Sequence, residues 1–407
     1  MASGSEKSLL DELLAPLKEK LAELEQLRII HPREVLTLTI FVRTMVYGYV
    51  QKIGSGRLLV SESQSADEAL ALPEIKRSTL FDAFNRFPVQ WFATLLGVVL
   101  SSMVWHEVPE LASLGKLYCI DGSLFPALGK MVWAEYKAGK PGVKLHLCFE
   151  LNRMLIANFI VGTGNSSERD ALRQMLEVGV TYIADRGYVC FKLLADIVAA
   201  DAHFVIRMKN NLDHTVNQVL EVAAPEAVHA IFSQVTDQLV TLNNAAGQPI
   251  YRLVTFQVGA ETYLILTSRR ELTTFQIILL YAYRWQVELV FRFLKRTMNG
   301  LHFFSTSPNG VTIQFYLLII TALLQLRLKQ LCVDRFEIAC QRTLIEESFP
   351  ASDPTLRSSS SRGAHFLATI GAKLHRYWKI SVHWLAHFRN RLAKPFDDAA
   401  IQLLGAP

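Results

Sequence analysis

Near Leu117 the hydrophobic period of this 407-residue chain changes. Before that point apolar residues recur at helical spacing: leucines from Leu9 to Leu27 with a break at Pro16, then Val35, Leu36, Ile40, Phe41 and Val50 after Pro32. Gly54-Ser55-Gly56 marks a turn, and Ser78 reads as the N-cap of a helix carrying Leu80, Phe81, Phe84 and Phe87, which Pro88 stops. After Leu117 short apolar runs alternate with turn residues. Leu117 to Ile120 reads as a strand ending in an Asp121-Gly122-Ser123 turn; Val143 to Leu151 and Met154 to Val161 read as two strands around Asn152-Arg153. Ser167 to Asp170 opens a helix by the capping-box pattern. Thr181 to Ala184 is a strand ending in Asp185, followed by a helix from Phe191 to Ala199 and a strand from Phe204 to Met208.

Three strands, then helix, strand, helix and strand predict a mixed α/β sheet flanked by helices, with two aspartates at strand ends, where open α/β sheets bind ligands. Residues 210–262 read as a β-rich insertion and Tyr263 to Thr267 as a strand. One long helix is expected from about Thr273 through Lys295 to Asn299-Gly300. The expected division is a helical region at 1–112, a core in two parts at 113–209 and 263–310 around the insertion, and a helical region at 311–407.

Half of the residues are hydrophobic, as in a globular chain, and 42 Lys and Arg against 37 Asp and Glu give only a mild positive excess. Five cysteines, an odd number with no Cys-x-x-Cys pair, argue for a reduced compartment with neither a zinc site nor a disulfide framework. Met1 to Lys7 carries no secretion signal, and the most apolar stretch, Phe315 to Leu326, is shorter than a bilayer span, so it reads as a buried helix with no membrane partner.

The chemistry lies in three acids. Tyr281, Arg284, Glu288 and Lys295 are spaced 3, 4 and 7 residues apart, one face of a helix, so that a carboxylate stands among two cations and a phenol. An ordinary solvated face with i,i+4 ion pairs gives the same pattern. Asp121 and Asp185 in Asp-Gly and Asp-x-Gly contexts are equally compatible with turns. Taken together, the three acids offer oxygen donors suited to Mg²⁺ or Mn²⁺.

Tyr281-x-x-Arg284-x-x-x-Glu288 followed by Lys295 resembles the signature of insertion-sequence transposases of the fourth family. Asp121-Gly122-Ser123 and Ala184-Asp185-Arg186-Gly187-Tyr188 resemble its other two acid motifs, and Lys144-Leu145-His146 a recurrent stretch between them. The resemblance covers about Leu117 to Gly300. It implies a ribonuclease-H-like catalytic core, and Asp121, Asp185 and Glu288 as ligands of two Mg²⁺ (or Mn²⁺) ions. It also implies Tyr281, Arg284 and Lys295 as DNA-phosphate contacts, with Arg186 either joining them or stabilising its turn. The activity implied is cleavage at the ends of a mobile element and joining of those ends to target DNA. The partner implied is double-stranded DNA, both terminal repeats and target, with a dimer on DNA and the cytoplasm of a bacterial-type cell as the further expectations of the resemblance. Some relatives hold a flipped base on a tryptophan of the insertion; none occurs in that stretch here, and Trp285 is nearest the site.

Elsewhere, Glu74 to Arg86, with Lys76 and Arg77, could be the second helix of a helix-turn-helix or a plain amphipathic helix. The segment from Lys373 to Lys394 combines basic residues with Trp378, Trp384 and Phe388, either a DNA or subunit contact or a solvated helix with an aromatic stripe. A DNA-binding regulator or an inactive relative with structural acids is the competing reading.

Overall fold

The computed structural model describes residues 9–348 except 30–33, 65–71, 106–107, 135, 137–139, 223–232, 259 and 299; side chains from 332 onward are not described. The basic and aromatic segment at 373–394 and the serine-rich stretch at 358–361 therefore lie outside the described residues. The described residues divide into two compact units, 9–103 with 313–348, and 104–312.

In the first unit the described helices are α1 (Leu9–Leu14), α2 (Lys18–Gln26), α3 (Leu38–Val50), α4 (Gly56–Gln64), α5 (Arg77–Arg86) and α6 (Val89–Ser101). Pro16 tightens the join of α1 and α2 into a 3-10 turn over Ala15–Leu17, and Thr37 caps α3 by accepting from the Ile40 amide. The Phe41 ring meets Phe84 edge-on at 5.0 Å and Phe87 at 5.4 Å. Helix α5 begins two residues earlier than expected: Lys76, not Ser78, is its N-cap, with no side-chain cap bond. Helix α4 ends at Gln64 and α5 begins at Arg77, and residues 65–71 between them lie outside the described residues.

The second unit is built on one nine-stranded sheet. Its strands are β1 (Lys116–Pro126), β2 (Gly142–Glu150), β3 (Leu155–Thr163), β4 (Val180–Ala184), β5 (His203–Arg207), β6 (His214–Val219), β7 (Ser233–Leu242), β8 (Ile250–Val258) and β9 (Glu261–Thr267). The order is β3-β2-β1-β4-β5-β9-β8-β7-β6. Strand β1 is antiparallel to β2 and parallel to β4, and β4 is parallel to β5. This is the mixed order of a ribonuclease-H-like core. Parallel neighbours need crossovers, which α7 (Glu168–Gln174) and α8 (Phe191–Ala199) supply. These helices bury Leu172, Met175, Leu193, Leu194 and Ile197 against Tyr118, Ile120, Cys148, Tyr182, Ala184, Phe204 and Ile206. By alternation, Cys119 and Asp121 face the other side, where the Cys119 thiol lies 3.7 Å from the Tyr283 carbonyl.

Two local expectations are corrected. Asp121-Gly122-Ser123 is not a turn: β1 runs on to Pro126 because β2 pairs along it, Asp121 opposite Leu147 and Ser123 opposite Leu145. The stretch expected as a β-rich insertion at 210–262 supplies β6, β7 and β8, which extend the same sheet through β9. The long helix is segmented into α9 (Thr274–Ala282), α10 (Trp285–Arg292) and a π turn over Phe293–Thr297. At the first join the Arg284 amide bonds back three residues to the Tyr281 carbonyl and the Gln286 amide to the Tyr283 carbonyl, tightening the helix; at the second, the Met298 amide reaches the Phe293 carbonyl.

The start of α9 is tied to the sheet extension. Asp237 of β7 is fully buried and accepts from Arg252 Nε (2.8 Å) and Nη2 (2.6 Å) and from the Thr274 hydroxyl (2.7 Å). Arg252 also donates to the carbonyls of Arg270 and Leu272, and Thr273 with Gln276 forms a capping box. Helix α11 (Pro308–Ser348) follows. Its Pro308–Leu328 portion is longer than the apolar stretch read from sequence and passes the length and composition test for a bilayer span, yet 67% of its most apolar window is buried within the protein, as in a core helix.

Candidate active site

Asp121 and Asp185 are neighbours by register. The parallel pairing of β1 and β4 ends with Cys119 opposite Ile183, and each aspartate lies two residues further on. The Asp121 carboxylate accepts from the Gly122 amide at 2.8 Å. Asp185 caps a short 3-10 turn, Arg186–Tyr188, by accepting from the Arg186 amide at 2.7 Å. Cβ alternation sends the Asp121 side chain to the face on which α10 packs, and Glu288 lies in the first turn of that helix.

Electrostatics links them. Burial pushes the Asp121 carboxyl from its ordinary 3.8 to about 6, Glu288 and Glu168 push the same way, and the Gly122 amide and Arg284 pull against them. Burial opposes the charge of Arg284, but Tyr281, Glu288 and Asp185 outweigh it and raise its pKa. A buried site in which several acids face one invariantly charged guanidinium is a place where a cation is electrostatically favoured.

The remaining signature residues reach the same strand ends from three different segments. Tyr281 on α9 extends its hydroxyl to Asp185 at 3.5 Å, and burial raises its pKa to about 12. Arg284, at the join of α9 and α10, donates to Glu288 at 2.7 Å and lies 5.9 Å from the Tyr281 ring centre and 5.6 Å from that of Trp285. Lys295, in the π turn, donates to the Ser123 hydroxyl at 2.7 Å and sits 4.8 Å from the Phe125 ring centre; burial lowers its pKa while Asp121 acts against that. The tightened join and the π turn thus let residues 14 positions apart converge, where a straight helix would drift past the acids. Trp285 is 44% exposed, so it is not a core residue. Arg186 is exposed and contributes its amide to Asp185. Lys76 and Arg77 are exposed residues of the first unit, Arg77 lying over the Phe81 ring.

The donor chemistry of Asp121, Asp185 and Glu288, carboxylate oxygens only, fits Mg²⁺ or Mn²⁺. As the side chains stand, no three His, Cys, Asp or Glu residues among those described converge on a single ion. Glu288 is turned to Arg284, and Asp121 and Asp185 each to a backbone amide.

Sequence reasoning missed Glu168. It stands 2.8 Å from Lys144 Nζ and close to Gly122 and Gly187, behind both aspartates. Its position within the capping pattern Ser167 to Asp170 concealed it; Lys144-Leu145-His146 was the available signal.

A family model described as the transposase DDE domain matches residues 113–324. The chain belongs to the transposase DDE-domain family. The match begins just before β1 and ends within α11, so it takes in all three acids. Two curated relatives are a "Putative transposase y4zB" of Sinorhizobium fredii, 28% identical over 58% of this chain and 67% of its own length, and a "Probable transposase for insertion sequence element IS5377" of Geobacillus stearothermophilus. The second is 25% identical over 60% of this chain and 65% of its own length. The chain thus spans about two thirds of each. Among solved structures, a piggyBac transposase synaptic complex with hairpin DNA aligns over 86% of this chain and 85% of that one at 12% identity, with a TM-score of 0.35. Endonuclease V of Bacillus subtilis aligns over 54% and 97% at 9% identity, with a TM-score of 0.26. Scores this low establish no shared fold. The DDE-domain membership rests on the family model, and the fold on the strand order.

Proposed function

We propose that this DDE-domain protein is a DNA transposase that cleaves the ends of a mobile element and joins their 3′-hydroxyls to target DNA. Asp121, Asp185 and Glu288 would hold two Mg²⁺ or Mn²⁺ ions. The observation that supports this best is convergence: the three acids and the three other signature residues, Tyr281, Arg284 and Lys295, from β1, the end of β4, α9, α10 and the π turn, meet at one end of the sheet. When bound, such a pair of cations activates the attacking hydroxyl or water and stabilises the leaving oxygen.

The protein's own groups do the positioning. Arg284 neutralises Glu288 in the cation-free state, and on exchange its guanidinium is freed to take a phosphate oxygen bidentately, held in orientation between the Tyr281 and Trp285 rings. Lys295 grips Ser123, two residues from Asp121, so a phosphate replacing that hydroxyl is held beside the acid. Tyr281 steadies Asp185. Arg186, exposed next to Asp185, is placed for a further backbone contact. Cutting two element ends in concert calls for at least a dimer on DNA, and Lys76 and Arg77 are candidates for contact with the terminal repeats.

The test is incubation of the protein with a labelled duplex carrying the cognate element end, in Mg²⁺, Mn²⁺ or EDTA, beside Glu288→Ala. Metal-dependent nicking that is lost in the variant is expected, and joined products mark a transposase rather than a nuclease. Cleavage that persists in EDTA or in Glu288→Ala would overturn the assignment.

A further inference from the structure

Gly122 and Gly187 follow the two strand aspartates by one and two positions. The positive-φ glycines among the described residues are Gly115, Gly179 and Gly247, so backbone conformation does not demand glycine at either site. Space does. A Cβ on Gly122 would lie 3.0 Å from Lys144 Cε and 3.2 Å from Glu168 Oε1, and a Cβ on Gly187 would lie 3.1 Å from Glu168 Oε2. All are tighter than ordinary van der Waals contact. One carboxylate is therefore wedged between the two acid-bearing backbones, with one oxygen against each.

Glu168 is held from the rear. Lys144 of β2 pairs with Oε1 at 2.8 Å, and both side chains are largely buried, at 15% and 26% exposure. Two residues along the same strand face, His146 Nε2 meets the Ser166 hydroxyl at 2.8 Å and anchors the loop that delivers Glu168. The opposite ring nitrogen, Nδ1, is buried without a partner and would lie 3.2 Å from a Cβ on Gly122. Lys144-Leu145-His146, otherwise unexplained by the chemistry of the three acids, thus serves this one side chain.

We propose that Glu168 is a positioning residue of the acidic centre: held by Lys144, it sets the separation of the backbones that carry Asp121 and Asp185, and so the affinity of the centre for a divalent cation. The inference rests on the cation-binding reading of those acids. Glu168 acts through them and need not touch the cation itself. Its geometry makes a reciprocal size test available. Gly187→Ala adds a methyl against Oε2 and drives the carboxylate back, whereas Glu168→Asp shortens the arm by one methylene and makes room for that methyl.

The experiment is Mn²⁺ titration of the full-length chain, with free Mn²⁺ read by electron paramagnetic resonance, alongside melting temperature in EDTA. Gly187→Ala and Glu168→Ala are each expected to weaken Mn²⁺ binding about ten-fold, the lower end of what changes behind a metal ligand cost, with melting little altered in Gly187→Ala and lowered in Glu168→Ala, which leaves Lys144 without its partner. The double variant Gly187→Ala with Glu168→Asp is expected to bind more tightly than Gly187→Ala alone. Should Gly187→Ala not fold, Glu168→Gln, which keeps the shape and breaks the Lys144 pair, is expected to show the same weakening. Unchanged affinity in the single variants, or a double variant no better than Gly187→Ala, would overturn the clamp while leaving the three acids in place. A wild-type chain that binds no Mn²⁺, or an Asp121→Ala variant that binds as well as wild type, would remove the cation-binding reading and this inference with it.

Discussion

Two aspartates of the same sheet, one buried and one partly buried, have opposite surroundings. Asp237 is wholly enclosed, and both of its oxygens are occupied by the fork of Arg252 and the hydroxyl of Thr274. Asp121 has a backbone amide for a partner and two further acids, Glu288 and Glu168, among its neighbours. The first arrangement is complete without any ligand and serves to pin α9, and thereby Tyr281, to the sheet. The second is electrostatically unfinished. A carboxylate held ionised in such a place costs stability that a cation returns on binding, which is how a binding centre differs from a structural ion pair of the same residue types.

The largest effect that would sharpen this contrast is expected at Asp237. Asp237→Ala leaves Arg252 charged and buried, and chemical denaturation should show a loss of about 3–5 kcal/mol. A loss below about 1 kcal/mol would mean that the pair is not the anchor described here.

Asp121→Asn should act in the opposite direction. Its folded pKa of about 6 lies above the unfolded 3.8. The folded protein therefore binds the proton more tightly, and stability falls as pH rises between these values. Above pH 6 the full penalty applies, on the order of 3 kcal/mol at about 1.4 kcal/mol per pKa unit. In metal-free buffer at pH 7 the asparagine variant should be the more stable protein and should lose the decline between about pH 4 and 6. A variant less stable than wild type across that range would contradict the unfinished character of the site.

Smaller effects follow at the cations. Lys295→Ala should lower the slope of log binding constant against log salt by about one for a DNA end, as expected for one lost phosphate contact; an unchanged slope would leave Lys295 a partner of Ser123 alone. Trp285→Ala, at an exposed position, should shift stability by no more than about 0.5 kcal/mol. A larger loss in thermal unfolding would show that the ring packs after all.

The same contrast marks what the sequence could convey. The acids and the Tyr-Arg-Glu-Lys spacing were legible because they are local patterns, and the strand and helix succession from Leu117 to Met208 follows from hydrophobic period alone. Asp121-Gly122-Ser123 misled because Gly and Ser suit turns, while the pairing that keeps them extended comes from Lys144 to Leu147, more than twenty residues away. The segmentation of the signature helix was hidden for a related reason: Tyr281 to Thr297 has good helical spacing, and the tightened join and π turn are set by tertiary contacts to Asp185 and Ser123. The continuation of the sheet into β6, β7 and β8 depends on strand pairing that no local window contains. Glu168 was legible only as a helix-start residue, since its partners Lys144, Gly122 and Gly187 lie on three other segments.

The measurement that bears most directly on the central claim is affinity cleavage of the full-length chain with Fe²⁺ in place of Mg²⁺, where radicals formed at the bound ion cut the nearest backbone. Fragments ending near Asp121, Asp185 and Glu288 together, and competed away by Mg²⁺, are the expected result. Cuts confined to one of these segments, or lying elsewhere in the chain, would contradict a single centre built from all three acids.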